Sequence, residues 1–280
     1  MRKIIAAMDG LRPSLATREY SMDLAVKSKS LLVGVFLDDF DYNSYRVYDL
    51  LTENSGNITT AKSRLDKKDA KTRAAAVADF EKECKKKGID YIIHRDRNVA
   101  IRELIRESIY ADLLVIEKNE TLTNHPEKSP TTFVRQLLSD VQCPVLIVPH
   151  HYHHFERLVL LYDGEPSSVF AIRMLDYTIP QLLGLRSQTV FVNPLKQKIR
   201  MPEDKLMKEF MDRHVPDTDY VVLQGEPEST ILKRLKKEKA TTLIVLGAYK
   251  RGKISRLIRP SLADTLLAKT NLPLFIAHNK

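Results

Sequence analysis

Short apolar runs alternate with longer segments of helical period along the second half of the chain. "RLVLLYD", "QTVFVN", "DYVVLQ", "TTLIVLG" and "PLFIAH" read as five buried strands, because each is nearly continuously apolar and bounded by polar or turn-forming residues. Between them, Ala171, Met174, Leu175, Thr178 and Ile179 recur at three and four, marking a helix that Ser167 or Ser168 would cap. Leu206, Met207, Phe210 and Met211 mark a second helix, and Ile231, Leu232 and Leu235 a third within residues 227–239. Ile254, Leu257, Ile258, Leu262 and Leu266 predict a fourth. Strands alternating with helices predict an α/β unit with a parallel sheet and helices on both faces.

The first half repeats this pattern. "IIAAMDGLRPS" returns as "LVLLYDGEPSS", so Asp9 and Gly10 match Asp163 and Gly164. Tyr91, Ala111 and Pro144 match Tyr220, Ala240 and Pro273 at an offset of 129, whereas Asp9 and Asp163 differ by 154. The first half thus carries 25 additional residues between Asp9 and Tyr91, placed at 38–62 and read as a loop with a short helix. The chain divides into a first unit at 1–149, a linker at 150–156 and a second unit at 157–280.

A chain of 280 residues accommodates two units of this size, and 29% charged residues suit a water-exposed surface. No apolar run is long enough for a membrane helix, and "MRKIIAAMDGLRPS" turns polar too early for a secretory signal, so the expected location is cytoplasmic. Cys84 and Cys143 make neither a disulfide framework nor a four-ligand zinc pattern. The linker "PHHYHHFE" gathers His150, His151, His153 and His154, read as a solvated segment in preference to a metal site. The net charge of +9 is uneven: residues 1–149 hold 24 basic against 22 acidic side chains, and residues 150–280 hold 21 against 14.

Five of the positive charges fall within "KRGKISRLIR" at 250–259. Gly247, Gly252 and Lys253 fit the spacing of a Walker A loop, but Ile254 stands where a magnesium-binding hydroxyl is required, which excludes it. The row lacks interleaved aromatic residues for stacking bases, so nucleic acid is not an expected partner.

The strand ending in Asp-Gly, the G-x-P before the third helix, and "LGAYKRG" before "SRLIRPS" together resemble the universal stress protein family in both halves. The resemblance implies a tandem form with an adenine nucleotide alpha hydrolase-like fold and strand order 3-2-1-4-5 in each half. It also implies ATP at the ends of strands one and four in nucleotide-binding members, where open α/β sheets hold their ligands. Asp163, Gly164 and Val192 would lie toward the adenosine. The family's G-x2-G-x9-G-[ST] motif falls on Gly247, Lys250, Pro260 and Ser261, with Arg251, Gly252 and Ser255 between them. At an offset of 129 the first half offers Lys118, Thr121, Thr131 and Thr132. No glycine remains there to admit a phosphate close to the backbone.

The reading is a non-enzymatic cytoplasmic stress-response protein binding ATP or a related adenine nucleotide through its second half, the first half being structural. No catalytic residue, metal or membrane contact is assigned. The alternative is a nucleotide-free protein-interaction module of the same fold. Pairing of "PVLIV" with "PLFIA" is expected to join the halves within one chain, with a homodimer as the other way to cover these edges.

Overall fold

In the computed structural model, residues 1–38, 42–45, 58–95, 99–194, 201–247 and 261–277 are described. The first half runs β1 (Lys3–Asp9), α1 (Leu15–Ser28), β2 (Leu31–Leu37), α2 (Ile58–Lys87), β3 (Tyr91–His94), α3 (Ala100–Ser108), β4 (Leu113–Glu117), α4 (Thr132–Asp140) and β5 (Val145–Val148). The second runs β6 (Arg157–Tyr162), α5 (Pro166–Thr178), β7 (Arg186–Asn193), α6 (Asp204–His214), β8 (Thr218–Gln224), α7 (Pro227–Leu235), β9 (Thr242–Gly247), α8 (Leu262–Lys269) and β10 (Leu274–Ala277). A 3-10 turn, Pro180–Leu182, follows α5.

Each half has strand order 3-2-1-4-5, but the two sheets are not separate. They fuse into ten strands ordered β3-β2-β1-β4-β5-β10-β9-β6-β7-β8. The seam is antiparallel and pairs Leu274 with Ile147, Phe275 with Leu146 and Ile276 with Val145. Both seam strands are fully buried, so each unit covers the other's apolar edge. The apolar faces divide into two layers: α3, α4, α7 and α8 cover one face of the sheet, and α1, α2, α5 and α6 the other. Among the described residues no helix is long and apolar enough to cross a membrane.

Of the segment placed at 38–62, residues 39–41 and 46–57 lie outside the described residues, and residues 58–62 open a long helix instead of a short one. Much of the additional length goes into α2, which has 30 residues against 11 in its counterpart α6. Its sequence is rich in Ala and Lys, residues that suit a long solvated helix, and only Asp69, Val77, Phe80 and Cys84 are buried along it. Phe80 anchors the helix: it meets Phe36 edge-on at 5.8 Å, and a Cβ on Gly34 would come within 2.9 Å of its ring.

The linker also differs from a purely solvated segment. Tyr152 packs edge-on against Tyr20 at 4.7 Å, and Phe155 stacks on the same ring at 5.3 Å. Among the described residues no group of three or more His, Cys, Asp or Glu side chains is arranged to hold a metal. Cys84 and Cys143 are free and buried, and burial pushes both thiols up to about 12, leaving them unreactive.

Candidate functional site

The carboxyl ends of strands one and four meet in each half, and the two halves treat that place differently. In the first half Asp9 ends β1 and is only 3% exposed. Its Oδ1 accepts from the Leu11 amide at 2.7 Å, and its Oδ2 accepts from the Tyr42 hydroxyl at 2.6 Å. Arg12 lies across the pair, donating through Nη2 to the Tyr42 oxygen and to the Thr123 carbonyl, each at 2.6 Å. The hydrogen bond to Tyr42 raises the Arg12 pKa above its usual value, while burial, and then the bond to Asp9, raises that of Tyr42.

Tyr42 belongs to the additional segment, and α2 holds it there. Arg73 donates to the Tyr42 carbonyl at 2.8 Å and pairs with Asp38 at 3.0 Å. Buried Asp69 accepts from the Ser44 amide at 2.8 Å. The segment thus brings a hydroxyl into the first-half site. Replacing Tyr42 by Phe removes one donor from a buried carboxylate and is expected to cost about 1.5 kcal/mol in urea unfolding, as such charge-assisted bonds typically contribute.

A cavity of about 610 Å³ remains between β1, β4 and the linker, bordered by Asp9, Arg12, Glu117, Glu120 and His150. His150 Nδ1 lies 3.1 Å from Glu117 Oε1. Glu120 is 8% exposed and accepts a long 3.2 Å bond from the Thr121 amide. Burial first, and then the charges of Asp9 and Glu117, push its carboxyl up to about 8. Three carboxyl groups, Asp9, Glu117 and Glu120, therefore line the ends of β1 and β4 in this half.

Strand pairing corrects the register read from the sequence. The Leu114 and Ile244 amides donate to the Pro144 and Pro273 carbonyls, each at 3.0 Å, so β4 and β9 align at an offset of 130. The cause is one additional first-half residue between the helix cap and the last strand, in the stretch before Pro144. In the corrected frame Glu117 stands opposite Gly247, Glu120 opposite Lys250, Pro130 opposite Pro260 and Thr131 opposite Ser261. The equivalence shows in the caps: Thr131 caps α4 by accepting from the Val134 amide, and Ser261 caps α8 by accepting from the Asp264 amide. Glu117 and Glu120 are absent from the sequence-based set, although "VIEKNE" carries them at and just beyond the end of strand four. Lys118, which the sequence frame sets at the place of Gly247, is committed elsewhere. It donates to the Thr270 carbonyl at 2.9 Å and to Asn271 Oδ1 at 2.6 Å, tying the halves together.

In the second half Asp163 is exposed. Its Oδ1 accepts from the Glu165 amide at 2.9 Å, and its Oδ2 has no hydrogen-bond partner among the described residues. Gly164 follows at φ +84°, a left-handed conformation that glycine takes without steric cost. Val192 is buried near the end of β7. Gly247 ends β9 against α5, where a Cβ would lie 2.3 Å from the Ser167 carbonyl carbon and oxygen. Ser167 and Ser168 sit inside the first turn of α5; the cap position is Glu165, followed by Pro166.

Lys250, Arg251, Gly252 and Ser255 lie outside the described residues, as does the predicted helix start at Ile254; the described part of the fourth helix begins at Leu262. Ser261 is engaged in a capping box: its hydroxyl donates to Asp264 Oδ2 at 2.9 Å and its amide donates to the same oxygen at 3.0 Å. Asp264 lies in the first turn of α8, where the positive end of the helix dipole favours its carboxylate.

A ten-stranded α/β sheet built from two equivalent halves, each with its strand-one aspartate at the topological switch point, defines a tandem doubly wound protein. Residues 155–278 match the sequence model of the universal stress protein family. That match covers the second half, and the chain as a whole shares its fold with the solved structures that follow. A universal stress protein from Archaeoglobus fulgidus is similar at 12% identity, with a TM-score of 0.62 over 99% of this chain and 96% of that one. A putative universal stress protein from Pseudomonas aeruginosa is similar at 13% identity and TM-score 0.62, over 99% and 93% of the two chains. A protein of unknown function from the same species gives 12% and 0.64, over 99% and 92%. No curated protein matches the sequence.

Proposed function

We propose that this chain binds ATP or a related adenine nucleotide through its second half, as a non-enzymatic cytoplasmic stress-response protein whose first half is structural. The observation that carries this reading is the contrast between the two strand-one aspartates. Asp9 is buried with both oxygens engaged by Leu11, Tyr42 and Arg12, while Asp163 is exposed with one oxygen free among the described residues. A carboxylate with an open lone pair can accept from a ribose hydroxyl or an adenine amino group.

Charge supports the same division. The first-half cavity presents the carboxylates of Asp9 and Glu117, which disfavour an anion, whereas residues 250–259 of the second half carry five basic side chains. In this reading Asp163, Gly164 and Val192 contact the adenosine. Gly247, Lys250, Arg251, Gly252, Ser255 and Ser261 line the phosphates, Ser261 only when Asp264 releases its hydroxyl.

Isothermal titration with ATP is expected to give one site per chain. Asp163→Ala should weaken it at least about tenfold, the scale of one charge-assisted hydrogen bond. Asp9→Ala should leave the affinity unchanged. Two equivalent sites, or a loss confined to Asp9→Ala, would sink the proposal. An absence of binding would favour the nucleotide-free interaction module.

A further inference from the structure

Helix α6 departs from its sequence reading at one position. The helical period predicts Leu206 in the core, yet it is 62% exposed while its neighbour Met207 is buried. The reason lies in what the helix faces: residues of α5 and α6 line a cavity of about 400 Å³. Tyr162 and Met207, both buried, border it together with Phe170, Leu206 and Phe210. Arg173 and Glu203 supply its charged groups.

The two charged groups have different roles. Glu203 is the cap residue of α6, held in the left-handed region at φ 49°, and its carbonyl accepts from the Met207 amide at 2.8 Å. Its charge acts on Tyr162, at the end of the cavity where the Pro202 carbonyl accepts from the Tyr162 hydroxyl at 2.9 Å. Arg173 instead projects from α5 with its guanidinium carbon 5.8 Å from the Phe210 ring centroid. Among the described residues it makes no ion pair. A guanidinium held over an aromatic wall offers planar donors to an anion at low ordering cost.

We propose that this cavity is a second ligand site, which takes a small monoanion with an aromatic body: the rings of Phe170 and Phe210 and the side chain of Leu206 receive the body, and Arg173 receives the anionic group. The volume is in the range of small-molecule sites, and the lining joins apolar walls to few polar groups, as such sites do. The residues lie on the α5–α6 face of the sheet. Only Gly164 is shared with the nucleotide reading, so the two sites stand or fall separately.

The probe is 1-anilinonaphthalene-8-sulfonate, titrated into the folded full-length protein and followed by fluorescence. The expected result is saturable binding of one probe per chain. Arg173→Gln should weaken it at least about tenfold; Arg173 is exposed, so this variant is expected to keep the native thermal midpoint. Phe210→Ala should also weaken it. Uncharged N-phenyl-1-naphthylamine should bind less tightly than the sulfonate, and saturating ATP should not displace the probe. Unsaturable binding, an affinity unchanged in Arg173→Gln, equal affinity for the uncharged analogue, or displacement by ATP would each overturn the proposal.

Discussion

Glu120→Gln is expected to stabilise the protein at pH 8.5 and to change it little at pH 5. In the folded chain the Glu120 carboxyl is raised from 4.5 to about 8, chiefly by burial and then by Asp9 and Glu117. Between those values the folded state holds a proton that the unfolded chain has released, so stability falls as pH rises through that window and levels off above it. The stabilisation is fully present below the unfolded value. Glutamine mimics the neutral acid and does not ionise, and the variant escapes the loss. With each pH unit of that window worth about 1.4 kcal/mol, the variant's advantage should grow by about 4 kcal/mol between pH 5 and pH 8.5. Thermal melts at the two pH values measure it, with a gain of roughly 8 °C at the higher pH. An equal midpoint for both proteins at pH 8.5 would show that Glu120 is already ionised without cost in the fold.

Gly247→Ala should have a comparably large effect, of opposite sign and at every pH. The added Cβ would fall 2.3 Å from the backbone of Ser167, and backbone at the start of α5 cannot rotate away as a flexible side chain could. Overpacking of this kind costs about 3 kcal/mol. Gly184→Ala is the control, because an added Cβ there meets nothing within 4 Å. Urea unfolding of the two variants separates the roles of the glycine. A stability loss only in Gly247→Ala identifies it as the contact that lets α5 sit over β9. A variant of native stability that has lost ATP binding would make phosphate approach its purpose. The glycine that opens the family motif thus has a packing role independent of any ligand, and its presence alone is weak testimony to nucleotide binding.

The engaged aspartate of the first half and the exposed aspartate of the second occupy the same place in one repeat. Their divergence rests on few residues: Tyr42 brought in by the additional segment, and Glu117 and Glu120 opposite Gly247 and Lys250. The loss of glycine from residues 118–132 is visible in the sequence. The carboxylates that fill the place are visible too, but not their convergence on Asp9, and a register read one residue out conceals their equivalence to the motif.

The strands were legible because they rest on local physics, whereas their order came from the family resemblance. Most strands are apolar runs buried on two faces, which a short window of sequence reveals. The repeat itself exposed the two halves, the additional 25 residues and the apolar edges that pair at the seam. Other features depended on contacts between residues distant in sequence. The long helix α2 escapes a reading by periodicity because its exposed face carries no apolar repeat, and it is secured by Phe80 against Phe36 and by Asp69 and Arg73 against the segment at 42–45. The cap at Ser261 follows from Asp264 reaching back to it. Leu206 matched a buried helical period, yet it borders the cavity that α5 and α6 line. Periodicity fixes which face of an element is apolar; only the packing of one element on another decides what that face meets and which polar groups are left to bind.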